Sequence, residues 1–158
     1  MTTCVYYFTS PVGVLEMRSE GTFLTHLLFF DPLRSLQQSE KPSEVIQMYV
    51  AQLEAYFYHG ARTFDFTRLA PAGTPFQVSV WKTLQEIPCG QAISYLELAI
   101  RLGDRKKVRA VGTANGRNPI SIIIPCHRVI GSKGHMVGYG GGLEAKEWLL
   151  VHENALLM

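Results

Sequence analysis

The chain has 158 residues, 47% of them hydrophobic, and a formal net charge of +2. That length suits one ordinary domain or two small ones packed together, and that composition excludes a disordered chain because it can build a buried core. No apolar run reaches the length of a membrane span, and Met1-Thr2-Thr3-Cys4 has neither the basic region nor the apolar stretch of a secretion signal, so a cytoplasmic protein with no membrane association is expected.

Cys4, Cys89 and Cys126 are odd in number and too widely spaced for a zinc ribbon or a Cys-x-x-Cys pair. Free thiols in a reducing compartment follow, with no metal and no cofactor. The charge is uneven. Residues 1–75 carry five basic and seven acidic side chains, whereas residues 76–158 carry ten and six, so the second half is the expected binder of a polyanion.

In chain order, Cys4–Phe8, Val12–Met17 and Phe23–Phe30 read as three strands, joined across Ser10-Pro11 and Glu20-Gly21 into a meander. Pro42-Ser43 opens a helix in which Val45, Met48, Leu53, Tyr56 and Phe57 recur near helical spacing up to Gly60, giving one amphipathic helix to cover the sheet. A short strand is expected at Thr63–Phe66. The small-residue and proline stretch Leu69-Ala70-Pro71-Ala72-Gly73 reads as a linker, which places a domain boundary between residues 73 and 74.

Thr74-Pro75-Phe76-Gln77 offers an N-cap hydroxyl, a proline at the first helical position and a glutamine able to close a capping box, so a helix is predicted from Pro75 to Glu86. Ile87-Pro88-Cys89-Gly90 stops it. Ser94-Tyr95-Leu96-Glu97 starts a second helix ending near Leu102-Gly103, and Asp104 caps a third over Arg105–Asn115. That third helix is expected to bury Val108 and Val111 and to present Lys106, Arg109, Ala110 and Thr113 on its other face. The last two helices and their glycine-containing turn form a helix-turn-helix. Five basic residues and one acid lie between Arg101 and Arg109, which favours phosphate contact, while Ala110, Thr113 and Ala114 are small enough for close approach to a groove but offer little to read base edges.

Asn118-Pro119 predicts a turn, and Ile120-Ser121-Ile122-Ile123-Ile124-Pro125 a buried strand delivering Cys126 to the end of a core element. Most buried cysteines are inert. Here His127 is adjacent, Arg128 adds positive charge, and Glu153 lies on a helix that could return to the same place, so a base or cation could promote ionisation of the thiol. On an extended strand Cys126 and His127 point to opposite faces, so a turn or a bridging water is needed to join them. Arg128 reads more readily as a structural ion-pair residue than as a DNA contact.

Three segments in fixed order carry a resemblance. They are Gly112-Thr113-Ala114-Asn115-Gly116-Arg117-Asn118-Pro119, then Ile124-Pro125-Cys126-His127-Arg128-Val129-Ile130, then Gly138-Tyr139-Gly140-Gly141-Gly142 with Lys146-Glu147-Trp148-Leu149-Leu150 and His152-Glu153. Together they closely resemble the O6-alkylguanine-DNA alkyltransferases over residues 74–158, whereas residues 1–73 match only in layout. The resemblance implies an α/β protein, with a ribonuclease-H-like α/β domain over residues 1–73 and a mainly helical, winged-helix-like domain carrying DNA binding and active site over 74–158. It implies direct, irreversible and stoichiometric transfer of an alkyl group from O6-alkylguanine, and from O4-alkylthymine, to Cys126.

The same resemblance assigns roles. Cys126 is the acceptor, His127 its base through a water, Glu153 the residue orienting the imidazole, and Asn118 the brace of the turn before the active-site segment. Tyr95 presses on the phosphate beside the lesion and Arg109 replaces the rotated base in the stack, as extrusion requires. Arg105, Lys106, Ala110 and Thr113 complete the DNA face, in the minor groove. Val137, Tyr139 and Gly140 line the guanine pocket. The implied partner is duplex DNA containing O6-alkylguanine, bound by a monomer, with cooperative binding on DNA left open. Gly140 departs from the small side chain that many relatives carry, and His135 has no assigned role. Cys4 and His26 are the only remnants of the zinc ligands that some members hold, and two are too few for a structural site. Two other readings stand beside this one: a lesion-recognition module without the reaction, and a Cys-His-Glu hydrolase, which leaves the basic helix and Arg109 without purpose.

Overall fold

The computed structural model describes residues 2–134 and 136–155, with the backbone alone at Lys133. It divides into two compact units, Met1–Pro71 and Ala72–Met158. Among the described residues no helix is long and apolar enough to cross a membrane.

In the first unit β1 (Thr3–Ser10), β2 (Gly13–Glu20) and β3 (Phe23–Phe29) form an antiparallel sheet in the order β1-β2-β3. The second turn needs Gly21, whose φ of 57° lies in the left-handed region that glycine enters without penalty. α1 (Glu44–Tyr58) starts at Ser43, whose side chain accepts from the Ile46 N–H, and buries Val45, Ile46, Tyr49, Leu53, Tyr56 and Phe57. Leu15, Met17, Leu24 and Leu27 of the sheet are buried with them. Alternation along the strands explains the choice of face, since residues two apart share one side of the sheet.

Thr63–Phe66 is not a strand. Its backbone is satisfied by side chains instead: Tyr49 donates to the Asp65 carbonyl at 2.7 Å, and the Asp65 N–H donates to Gln52 at 2.9 Å. Pairing with the sheet comes only later, as an isolated parallel bridge between Leu24 and Leu69. Cys4 and His26 lie on opposite faces of the sheet, because Val5, the neighbour of Cys4, is in register with Arg18, which in turn pairs with His26. Among the described residues no three His, Cys, Asp or Glu side chains are grouped as metal ligands.

The second unit opens with α2 (Pro75–Leu84), whose capping box is complete: the Gln77 N–H donates to Thr74 Oγ1 at 3.1 Å and the Thr74 N–H to Gln77 Oε1 at 2.9 Å. β4 (Ile93–Ser94) leads into α3 (Tyr95–Arg101), capped by Ser94, and Gly103 with φ 94° turns the chain toward α4 (Val108–Gly116). The stretch expected as one helix from Arg105 begins as a 3₁₀ turn, Arg105–Lys107, held by Asp104 through the Lys106 N–H at 2.9 Å. Trp81 of α2 is 1% exposed and donates through Nε1 to the Ala114 carbonyl at 2.9 Å, fixing α2 against α4. β5 (Val129–Ile130) pairs in parallel with β4, and α5 (Leu143–His152) closes the unit.

The run Ile120–Pro125, expected as a strand, is instead a succession of tight turns. The Ile123 N–H donates to the Ser121 carbonyl across Ile122, whose φ is 71°, which is the rarer and strained form of γ-turn. The Cys126 N–H donates to the Ile124 carbonyl across Pro125 at φ −82° and ψ 64°, the common inverse form. Apolar β-branched content marks the run as buried, and buried it is, but proline and the Asn118 side chain decide its conformation.

Candidate active site

Asn118 holds this coil together from within. Its Nδ2 donates to the Ile124 carbonyl at 2.8 Å and its Oδ1 accepts from the Ile120 N–H at 3.0 Å, so one buried side chain replaces two partners that a neighbouring strand would have supplied. Cys126, His127 and Arg128 then form a single 3₁₀ turn. That turn, rather than an extended strand, is what carries the thiol and the imidazole.

Every side chain of the turn is buried. His127 Nε2 lies 2.8 Å from Glu153 Oε2, at the C-terminal cap of α5. Arg128 forks onto the same carboxylate, Nε to Oε1 at 2.8 Å and Nη2 to Oε2 at 3.1 Å, and its Nη1 donates to the Ile87 carbonyl at 2.6 Å. Arg128 is therefore an internal ion-pair residue, as its sequence context suggested. Burial by itself raises the Glu153 pKa, but the His127 imidazole and the Arg128 guanidinium prevail and hold the carboxyl well below the usual range. Burial lowers the His127 pKa more strongly than Glu153 raises it, so the ring is neutral. Its Nε2 proton faces Glu153, and Nδ1, buried and without a hydrogen-bond partner among the described residues, keeps a free lone pair.

Burial pushes the Cys126 thiol up, against a hydrogen bond from Asn118 and the charge of Lys146. The sequence pointed to ionisation helped by His127 and Arg128; the cation that acts on the sulfur is Lys146. Lys146 lies on α5 with no exposure at all, donates to the Val137 carbonyl at 2.8 Å and sits 6.0 Å from the centre of the Tyr95 ring. Burial brings its own pKa down to about 8. The sequence held a signal for it: Lys146 lies between Ala145 and the pair Leu149-Leu150, on the apolar side of the helix.

Tyr139 packs edge-on to His127 at 6.5 Å between ring centres, interacts with Ser121, and is raised well above the ordinary tyrosine value by burial, with Cys126 and Glu153 adding to the effect. Val137 is bound through its carbonyl to Lys146 while its side chain is exposed. A Cβ on Gly140 would meet nothing within 4 Å, so packing does not demand glycine there. His135 lies outside the described residues.

The DNA-facing candidates gather on one side. Arg105 and Lys106 are exposed on the 3₁₀ turn, and Arg109, Ala110 and Thr113 are exposed along α4, where Thr113 Oγ1 donates to the Arg109 carbonyl at 3.1 Å. Ala114, expected on that face, is only 2% exposed, and its carbonyl accepts from Trp81 Nε1 instead. Tyr95 opens α3, half-buried, with its ring against Gly112, where an added Cβ would stand 3.6 Å away.

A basic helix-turn-helix running straight into an enclosed thiol, imidazole and carboxylate defines a DNA-binding protein with a cysteine at its reactive centre. Comparison with known proteins makes the class specific. The family model described as "6-O-methylguanine DNA methyltransferase, DNA binding domain" matches residues 75–155. Methylated-DNA--protein-cysteine methyltransferases of Methanosarcina mazei and Haemophilus influenzae are each 45% identical to the chain, over 96% and 95% of its length and 99% and 86% of theirs. The crystal structure of Mycobacterium tuberculosis O6-methylguanine methyltransferase superimposes with a TM-score of 0.85 at 40% identity, covering 98% of this chain and 94% of that one. A structure described as Mycobacterium tuberculosis OGT in complex with DNA gives the same TM-score at 42% identity, over 94% and 91% of the two chains. The chain belongs to the methylated-DNA--protein-cysteine methyltransferase family, the proteins of DNA repair by alkyl transfer to cysteine.

Proposed function

We propose that Cys126 is the acceptor of an alkyl group taken from O6-alkylguanine, and from O4-alkylthymine, in duplex DNA. The observation that carries this reading is the enclosed turn Cys126–Arg128, which sets a free thiol beside a neutral imidazole whose other nitrogen is held by Glu153. His127 Nδ1 takes the thiol proton, through a bridging water where the turn keeps the two apart. The thiolate attacks the alkyl carbon, a carbon–sulfur bond forms as the carbon–oxygen bond breaks, and the electron pair passes to O6 and the guanine ring. A donor such as the Tyr95 or Tyr139 hydroxyl neutralises that charge as it develops. The thioether has no route back to a thiol, so each molecule acts once.

In this reading Arg105, Lys106, Arg109, Ala110 and Thr113 hold the duplex, Arg109 fills the stack in place of the extruded base, and Val137, Tyr139 and Gly140 wall the pocket. Residues 1–73 form the α/β domain and 74–158 carry the chemistry. The work belongs to a DNA-containing, reducing compartment such as the cytoplasm, where cysteines stay out of disulfides, as Cys4, Cys89 and Cys126 do here. The test is intact-mass and peptide mapping after mixing with duplex DNA containing O6-methylguanine. One methyl group on the Cys126 peptide and no turnover beyond one equivalent is the expected result; an adduct elsewhere, or continued turnover, contradicts it.

A further inference from the structure

The first unit holds a cavity of about 490 Å³ for which the alkyl-transfer reading has no use. Three walls enclose it. One is the turn Gly21-Thr22 between β2 and β3, the second is the start of α1, and the third is Arg68, on the segment that pairs with Leu24. Each wall is tied to the same sheet. The Gly21 N–H donates to the Thr2 carbonyl at 3.3 Å, and the Leu24 N–H donates to the Arg68 carbonyl at 2.8 Å. The Ser43 hydroxyl at the head of α1 shares a hydrogen bond of 2.8 Å with that of Ser19 in β2. The cavity therefore exists before a ligand arrives, which spares binding the cost of ordering it.

Its lining is of two kinds. Val45 is buried and Met48 half-buried, which makes part of the wall apolar, whereas Glu44 and Arg68 are exposed and carry opposite charges. Neither forms an ion pair with the other or with any described residue. Asp65 feels the charge of Arg68, but the Thr67 N–H and hydroxyl engage its carboxylate at 2.7 and 2.6 Å. Apolar walls with a few convergent polar groups are the usual make-up of a small-ligand site, and the volume falls in the range such sites occupy. A carboxylate and a guanidinium too far apart to pair suit a ligand with an ammonium at one end, a carboxylate at the other and an apolar body between them. A short peptide with free termini has that form.

We propose that this cavity binds a short apolar peptide by its two free ends: Glu44 takes the ammonium, Arg68 takes the carboxylate, and Val45 and Met48 pack against an apolar side chain. The site belongs to the unit that does not contain Cys126, and its occupancy does not depend on alkyl transfer.

The experiment titrates the full isotope-labelled chain with leucyl-leucine and follows its backbone amide resonances. Saturable shifts are expected at Gly21, Thr22, Val45 and Met48. Acetylating the amine of the peptide, or amidating its carboxylate, should each weaken binding by about fivefold, the worth of one exposed ion pair. Glu44→Gln should lose only the response to acetylation, and Arg68→Gln only the response to amidation. Both substitutions fall on exposed side chains, and each ratio is taken within one variant, so differences in stability cancel. No saturable shift at the lining residues, a doubly blocked peptide that binds as tightly as the free one, or variants that keep both responses overturns the proposal. Free leucine binding as tightly as the dipeptide also overturns it, because the two charges are then not being spanned.

Discussion

His127 Nε2 and Glu153 Oε2 are 2.8 Å apart with both side chains wholly enclosed, and Arg128 grips the other side of the same carboxylate. Three ionisable groups thus share one buried charge balance, with Glu153 at its centre. Glu153→Gln leaves the Arg128 guanidinium buried and uncompensated, a loss on the order of 3–5 kcal/mol. Urea unfolding should show a midpoint lowered accordingly, with a slower transfer rate in the protein that remains folded. A midpoint unchanged within error would mean that the cluster carries no structural weight.

Acid should weaken the fold, and both partners act in the same direction. The Glu153 pKa is depressed, so its contribution is present above its ordinary value of 4.5 and is lost as the pH falls from there toward the folded-state value. His127 is also depressed, from an ordinary 6.5, so the unfolded chain takes up its proton first and stability declines as the pH drops below that point. Urea midpoints measured across an acid series should therefore fall in two stages, and Glu153→Gln should flatten the later one.

Lys146 favours the ionised form of Cys126. Replacing it with methionine removes a positive neighbour, which raises the thiol pKa and moves the pH profile of transfer toward the alkaline side. Lys146→Arg, which keeps the charge, should restore much of the profile. Because Lys146 itself titrates at about 8, its support for the thiolate in the wild type should fade above that pH. Coincident profiles for the wild type and the methionine variant would contradict this role.

Arg109 is exposed on α4, and in the proposed function it contributes only when a base has to leave a duplex. Arg109→Ala should slow repair of O6-methylguanine in duplex DNA, by about tenfold or more, while leaving the reaction with free O6-benzylguanine nearly unchanged. Equal losses on the two substrates would show that it acts on the site and not on the extruded base.

Ile122 sets two effects against each other. Its positive φ costs about 1–2 kcal/mol for a side chain branched at Cβ, which glycine would relieve. Its side chain is also completely buried, and emptying such a position costs about 2–5 kcal/mol. The cavity outweighs the relief, so Ile122→Gly should lower the thermal midpoint; a raised midpoint would show that the backbone strain dominates.

Much of this is readable in the residues themselves, for reasons that differ from place to place. The Thr74-Gln77 box and the Ser94 cap follow from local hydrogen bonding, and both stand where the sequence puts them. The run before Cys126 reads as a strand and folds as a coil because strand propensity and the needs of a buried coil are alike in composition; Asn118 looks like a turn residue in the sequence and acts as a scaffold in three dimensions. Ala114 lies three positions from Val111 on the buried side of α4, not on the groove face, and its carbonyl takes a hydrogen bond from Trp81, a partner 33 positions earlier that the sequence does not reveal. Lys146 is marked as buried by its place among Ala145, Leu149 and Leu150, but that pattern does not reveal Cys126 as the group on which its charge acts.

The partner of His127 is 26 positions further along the chain, at the C-terminal cap of α5. During synthesis the sulfur therefore emerges from the ribosome well before the carboxylate that completes its surroundings. A chain that stops before residue 153 cannot assemble this centre, so the acceptor thiol and its imidazole stay without their carboxylate until that residue has been made.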